Sequence, residues 1–386
     1  MIISRRHKKL PLRTKVVKNI EDIPAADWNK VYPDILESYN FFRAVDASNL
    51  EQFSFYYIMV YERNKPVAAT TCFLTDYSLD TSINGPLRRI TNSIKRVIPR
   101  IFSIRALACG MPLCPGRIGI SGAEPEKVMH VVLRRIESIA KKERAPIIAF
   151  KDFNHAHTAI LDPIQKAGFK KFDSLPSTEL NVWYKDFEEY LKTLSAPNRY
   201  DLRRKFKKVD GRVDIRLEVV DKLDTDILDH VYRLYLNMLD KHDMGFEILP
   251  KDFFLQISKH MPRNTKFFLW TIDGKLAAFL LCLVSREELI DYYVGLDYEV
   301  ALRHHLYFVK FRDVLNWCIK HGIKRYEMGI TGYEPKRRLG FDFIPLYLYV
   351  KLRNRMLRPA FTFICQFLKF ENFDPSLKLA KKKAKR

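Results

Sequence analysis

The stretch Asp291–Phe341, "DYYVGLDYEVALRHHLYFVKFRDVLNWCIKHGIKRYEMGITGYEPKRRLGF", decides the fold. Its opening completes the alternating run "ELIDYYVGLD", and apolar residues at every second position are the signature of a half-buried strand. "ALRHHLYFVKFRDVLNWCIKHG" then switches to helical spacing and stops at Gly322, the residue type that ends helices in the left-handed conformation. "KRYEMGI" is a second strand, a short polar loop follows, and "LGFDFIPLYLYV" returns to strand character. Upstream lie the helix "DILDHVYRLYLNMLDKH", the strand "TKFFLWTI", a tight Asp273-Gly274 turn and the strand "LAAFLLCLV".

The first half of the chain repeats this order. A helical segment around Pro33 leads into "FSFYYIMVYE" and "PVAATTCFLTDYS", two strands about a turn at Asn64-Lys65. "EPEKVMHVVLRRIESIAKKE" puts Val128, Val131, Val132, Ile136 and Ile139 on one face, as an amphipathic helix requires. "APIIAFKDF" is a buried strand, a short helix ends at Gly168, and "FKKFDSLPSTELNVWY" follows. Three segments match in one order: "YERNKPVAATTCF" with "TIDGKLAAFLLC", "ERAPIIAFKDF" with "HGIKRYEMGIT", and "KAGFKKF" with "RLGFDFI". The offset between matches shrinks along the chain, which places extra sequence in the first half, in a basic insertion near residues 81–104. The expected fold class is α/β, with two tandem units at 18–185 and 186–355, each a mixed β-sheet flanked by helices. Residues 356–386 are expected to form an amphipathic helix and a polybasic tail.

Composition narrows the classes further. A chain of 386 residues exceeds one ordinary core, and 47% apolar residues supply a packed interior. Six cysteines without regular spacing, several inside apolar runs such as "FLLCLV", suit reduced, buried thiols rather than a disulfide framework. The longest apolar run, Leu276 to Val284, is far short of the roughly 18 residues of a spanning helix. The N-terminus has basic residues but no apolar core behind them, so it does not read as a secretory signal. A cytoplasmic protein, peripheral on the cytoplasmic membrane face, is the expectation. The net charge of +22 is concentrated in residues 1–18, 81–123, 198–212 and 351–386, and such segments imply an anionic partner. Two of them carry apolar stripes at helical spacing: Ile90, Ile94, Val97, Ile98 and Ile101 in one, Leu357, Phe361, Ile364, Phe367 and Leu368 in the other. An anionic membrane surface is one partner those stripes fit, and tRNA is the other that the charge fits.

The Tyr-rich strand, long helix, strand and Tyr…Lys…Gly-Phe segment of residues 291–341, with the opening "IEDIPAADWNKV" and "SYNFFRAV", resemble the GNAT acyltransferase superfamily and its tandem FemAB-like members. The resemblance spans roughly residues 18–355. It implies acyl transfer to an amine, with acyl-CoA (acetyl-CoA) as donor and a small amine or lipid-linked acceptor. Some FemAB-like proteins take aminoacyl-tRNA instead. The superfamily's Gln/Arg-x-x-Gly-x-Gly/Ala turn, which holds pyrophosphate at a helix start, is reduced here to Gly295 in the second half. The first half offers Gly116, Gly119, Gly122 and Ala123, with Arg117 out of position.

Amine acylation needs a proton acceptor, donors that polarise the carbonyl, and an acid at the leaving group. Tyr293, Glu327 and Lys336 are the catalytic candidates, and Asp291, Tyr292 and Tyr333 the substrate-binding ones. Glu327 sits mid-strand in "RYEMG", where a carboxylate needs either a cation or a cleft. Lys336 lies in what reads as an exposed basic loop, "GYEPKRRLGF", and matches a FemAB-like lysine before a Gly-Phe. Gly295, Arg303, His304, Arg199 and Arg203 are the donor-binding candidates, with Lys336, Arg199 and Arg203 expected to line one basic pocket. Ser195 and Asn198 are candidate caps of the Arg-rich helix. No metal is implied: His155 and His157 share a strand end with Asp152 but lack a further ligand.

Overall fold

The computed structural model describes residues 12–78, 103–242, 247–359 and 377. The insertion near 81–104 and the tail 356–386, on which the membrane expectation rests, fall almost wholly outside them. Among the described residues no helix is long and apolar enough to cross a membrane. The chain divides into two compact units. The first gathers residues 12–46, 51–172 and 347–359, and the second centres on Asp173–Leu346.

The first unit is built on strands β1 (Arg13–Val17), β2 (Ser54–Glu62), β3 (Lys65–Ser78), β4 (Ser103–Cys109), β5 (Ile118–Ile120), β6 (Ile147–Asn154) and β7 (Lys170–Asp173). Its helices are α1 (Ala25–Val31), α2 (Tyr39–Ala47), α3 (Pro125–Lys142) and α4 (Thr158–Leu161). The second unit uses β8 (Ser177–Asn181), β9 (Ile215–Val220), β10 (Thr265–Ile272), β11 (Lys275–Val284), β12 (Glu288–Leu296), β13 (Arg325–Glu327) and β14 (Asp342–Ile344). Its helices are α5 (Phe187–Thr193), α6 (Ala196–Lys207), α7 (Thr225–His242), α8 (Phe253–His260), α9 (Tyr298–Arg303), α10 (Leu306–Lys320) and α11 (Tyr333–Arg338). The last strand of the chain, β15 (Leu346–Leu352), returns to the first unit.

Both sheets are mixed and share one strand order. The first runs β1-β2-β3-β4-β6-β15-β7, with β5 also paired to β3, and the second runs β9-β10-β11-β12-β13-β8-β14. Antiparallel hairpins give way to a parallel pair in each, β4 with β6 and β12 with β13. The three sequence correspondences land on equivalent places: hairpins β2–β3 and β10–β11, parallel strands β6 and β13, and terminal strands β7 and β14. The place between parallel and terminal strand is filled reciprocally. Strand β8, from the expected first unit, completes the second sheet, and β15, from the expected second, completes the first. Hence "FKKFDSLPSTELNVWY" and "LGFDFIPLYLYV" each divide between two sheets.

Amphipathic helices cover the sheets as their spacing predicts. On α3, Val128, Val132, Ile136 and Ile139 are buried, with Val131 at the margin. On α10 the buried set is Leu306, Val309, Phe311, Val314, Leu315 and Cys318, and Gly322 follows at φ +69°. Each large side chain so buried contributes about 1.5–3 kcal/mol. The helix expected over residues 301–322 is broken. His305 adopts φ +51°, so α9 ends and α10 starts anew. Ser195 makes no side-chain cap on α6, and the Asn198 amide donates to the Arg338 carbonyl at 3.0 Å instead.

Strand exchange has a direct test. Residues 1–185 and 186–386, made separately, each lack the strand that completes their sheet. Each fragment should show no cooperative thermal transition by circular dichroism, whereas co-expression should restore one; two independently cooperative fragments would contradict the exchange.

Candidate active site

The site begins with an irregularity in β12. Its ladder with β11 pairs Leu281 with Tyr293 but Cys282 with Asp291, so Tyr292 is an inserted residue. A one-residue bulge of this kind shifts the side-chain alternation. Leu289, Val294 and Leu296 consequently pack into the same core, under α10. Asp291 faces the same helix: Lys310 Nζ donates to Asp291 Oδ2 at 2.7 Å, with the two side chains 1% and 7% exposed. The Tyr326 hydroxyl lies 3.4 Å from the same oxygen. Burial, with the Asp291 carboxylate adding to it, pushes the Tyr326 and Tyr307 hydroxyls well above the usual phenol range.

Strands β12 and β13 then part. They are paired only where Glu288–Ile290 meet Arg325–Glu327. Beyond, β12 continues beside β11, while the Met328 N–H donates to the Thr178 carbonyl on β8. The following turn has Gly329, Thr331 and Gly332 at φ between +59° and +71°. It gathers three carbonyls around Lys336 Nζ, those of Met328 at 2.6 Å, Gly329 at 3.2 Å and Ile330 at 3.3 Å. An ammonium has three donors, and each has an acceptor here. Burial drives Lys336 down to about 8; the Asp291 and Glu327 carboxylates oppose that push and the Lys310 ammonium adds to it.

The exchanged strand β8 supplies the rest. Ser177 Oγ donates to Glu327 Oε1 at 2.5 Å, and Thr178 Oγ1 to the Gly329 carbonyl at 2.8 Å. Glu179 stands directly across from both Glu327 and Asp342. Burial raises Glu179, Arg325 opposes this, and the Glu327, Glu288 and Asp342 carboxylates add to it.

The structure thus brings Asp291, Tyr292, Glu327 and Lys336 to one parting of strands. Several expectations need correction. Lys336 is not on an exposed loop but buried on the short helix α11. Its ammonium is held by the carbonyls of its own turn, while the two arginines expected beside it are engaged elsewhere. Arg199 donates to the Lys192 and Leu194 carbonyls behind α5, and Arg203 forms an exposed ion pair with Glu188. Tyr333 is buried, its hydroxyl donating to the Pro176 carbonyl at 2.9 Å. Gly295 is occupied by packing: a Cβ there would meet Phe279 at 2.4 Å and the Leu234 backbone of α7 at 2.6 Å. The absence of a side chain lets the helix approach the strand, a packing requirement that by itself calls for glycine there. Arg303 forms a solvent-facing pair with Glu299, and His304 closes α9. The Tyr293 ring packs against Tyr235 and Phe253, on the α7–α8 side. His157 bonds Asn154 at 2.8 Å, and among the described residues no group of three or more side chains is placed to hold a metal.

Sequence reasoning missed Lys310 and Ser177, whereas the cationic end of α6 lies in the basic segment 198–212 that the charge distribution singles out. Lys310 left a signal: it falls four residues after Leu306 and four before Val314, on an otherwise apolar helix face. Lys205 lies 4.4 Å from the Phe308 ring at the start of α10. Burial lowers His305, and the Lys208, Lys205 and Arg204 cations at the end of α6 lower it further, against the Asp201 carboxylate.

Two units of one strand order, each with its parallel pair after an antiparallel hairpin series, define a tandem GNAT fold. Three solved structures share it: FemX (12% identical, TM-score 0.55, 90% of this chain and 99% of that one), a tandem GNAT protein from the clavulanic acid pathway (10%, 0.54, 88% and 98%), and L-PGS from Bacillus licheniformis (11%, 0.51, 83% and 90%). The chain belongs to the FemAB-like family, described as peptidoglycan biosynthesis/recognition, which it matches over residues 19–374. It is also 24% identical over 322 residues to a Mycobacterium tuberculosis protein provisionally named 8-amino-7-oxononanoate synthase 2. The match covers 81% of this chain but only 42% of that protein.

Two measurements check the buried charges. Lys310→Met or Asp291→Asn alone should cost about 3–5 kcal/mol in urea unfolding, and Lys310→Met with Asp291→Leu much less, because each single change leaves a buried group unpaired. Lys336 binds its proton less tightly folded, near 8, than unfolded, near 10.5. Between those values the unfolded chain holds more protons, so stability rises with pH. The stability of the wild type relative to Lys336→Met should therefore climb from pH 8 to 10.5 and stay level below pH 8.

Proposed function

We propose that the chain is an N-acyltransferase whose second unit transfers an acyl group from acyl-CoA to an amine at the parting of β12 and β13. The observation that carries this reading is the convergence of a carboxylate, Glu327, and a buried cation, Lys336, on that parting. The amine nitrogen attacks the donor carbonyl, a C–N bond forms and the C–S bond breaks. Glu327, oriented by Ser177, takes the amine proton, and that proton passes through solvent to the departing thiolate, which restores the carboxylate. The Lys336 charge, held by three carbonyls beside the parting, favours the negative charge that develops on the carbonyl oxygen. Donor phosphates would lie at the start of α10, among Lys205, Lys208 and Arg204.

A second reading replaces acyl-CoA with aminoacyl-tRNA, the C–O ester breaking in place of the C–S bond. The packing of Gly295 against α7 supports it, because helix packing then accounts for the one glycine before the helix without a CoA pyrophosphate. Membership of the FemAB-like family supports either donor. The acceptor we propose is a small or lipid-linked amine. The basic segments would hold the protein to an anionic membrane face, or to tRNA under the second reading. The activity named for the mycobacterial relative is that of a protein of which this chain spans about two-fifths, and it is not carried over.

Turnover of acetyl-CoA, longer acyl-CoAs and aminoacyl-tRNA with a panel of amines separates the two readings. Glu327→Gln should lower kcat by about 10²–10⁴ while its melting temperature stays close to that of the wild type. Undiminished turnover in a folded Glu327→Gln variant would remove Glu327 from the chemistry, and no turnover of any donor by the wild type would sink both readings.

A further inference from the structure

The two units differ at the place where the second one opens. In the second, a single inserted residue, Tyr292, interrupts the ladder between β11 and β12. In the first, β4 pairs with β3 as far as Cys109 opposite Cys72, and β5 resumes at Ile118 opposite Thr70. The whole segment Gly110–Arg117 therefore stands where the second unit has one residue.

That segment is fixed back into the sheet rather than projecting from it. The Gly110 N–H donates to the Thr71 carbonyl at 2.8 Å. Two consecutive threonines, both fully buried, clamp its ends: Thr71 Oγ1 donates to the Gly110 carbonyl at 3.0 Å, and Thr70 Oγ1 to the Arg117 carbonyl at 2.9 Å. Near its far end Gly116 bridges Phe153 of β6 in the parallel sense, and its N–H donates to the Asp152 carbonyl at 3.1 Å. A Cβ on Gly116 would lie 2.4 Å from the Phe153 ring and 2.5 Å from the Lys151 carbonyl. Only glycine permits that approach. Met111 and Cys114, between the clamps, are 1% and 7% exposed. Strands β4 and β6, like β12 and β13, pair over one short stretch, Ala106–Cys109 with Ile147–Phe150. In the first unit the gap beyond that stretch is then bridged again by the chain itself.

We infer that the segment Gly110–Arg117 is a built-in plug, that the first unit takes no donor, and that each chain binds one donor, in the second unit. This inference rests on the acyl-transfer reading of the second unit. Hydrogen exchange on the full chain without ligand tests the plug by itself. The amides of Gly110 and Gly116 should exchange as slowly as those of Leu107–Cys109, and exchange at loop rates would overturn the proposal. Titration with whichever donor supports turnover, acetyl-CoA or aminoacyl-tRNA, should give one equivalent per chain. Donor should protect residues 291–296 and 328–336 and leave 110–117 unchanged. Two equivalents, or donor protection of 110–117, would overturn it. Gly116→Val should speed exchange across 110–117 while kcat stays within about two-fold and the stoichiometry stays at one equivalent. Because that variant risks misfolding, Thr71→Val, which removes one clamp bond, serves as the milder probe with the same expectations. A chain that binds neither donor sinks the acyl-transfer reading and leaves ligand-free exchange to decide the plug.

Discussion

Each sheet is closed by a strand from the other half of the chain, and the site depends on that constraint. Strand β13 is three residues long, so its backbone groups are satisfied only because β12 pairs on one side and β8 on the other. A strand end left without a partner exposes N–H and C=O groups at a cost. Strand β8 does more than close the ladder. Its Ser177 bonds Glu327, and its Thr178 carbonyl and hydroxyl bond Met328 and Gly329, the first residues of the turn that curls around Lys336. The direction of the chain after β13, and so the opening beside β12, follows from a strand that ends the first half of the sequence.

Among the described residues of this unit two lysines are buried, and they are satisfied by different chemistry. Lys310 forms an ion pair with Asp291, and Lys336 spends its hydrogen bonds on carbonyl dipoles, with carboxylates acting only from a distance. Dipoles accept hydrogen bonds without cancelling the charge, so burial still weighs on Lys336 and draws its proton affinity toward neutrality. A buried ion pair seldom repays its full desolvation, and an apolar pair of similar volume often packs as well. The Lys310–Asp291 pair is thus better understood as fixing the bulged end of β12 against α10 than as a source of stability.

The fold was legible because its signals are local. Alternation and helical spacing identify strands and helices segment by segment, and the matching order of the two halves exposed the common architecture. Partner choice is not local in that sense: β8 and β15 alternate in the same way whichever sheet receives them, so the exchange left no mark. The site was partly legible. Glu327 and Asp291 stood out as charges within strands, and each does have a polar partner. Lys336 was misplaced because arginines beside it suggested solvent, whereas the helix α11 sends Arg337 and Arg338 outward to Glu334 and Lys336 inward. Gly295 showed the same ambiguity in reverse. A glycine before a helix can cradle an anion or admit a neighbouring helix, and only the position of Leu234 decides between them.

The reciprocal strands also set a timetable. During synthesis the edges of β6 and β7 emerge well before the strand that lies between them, Leu346–Leu352. At ~5–20 residues per second the ribosome leaves that slot empty for on the order of ten seconds or more. Until then two strand edges of the first sheet face any other chain that could pair with them. A protein built this way has its most exposed moment on the ribosome, and its demand on chaperones is written into the order of its strands rather than into the stability of the finished fold.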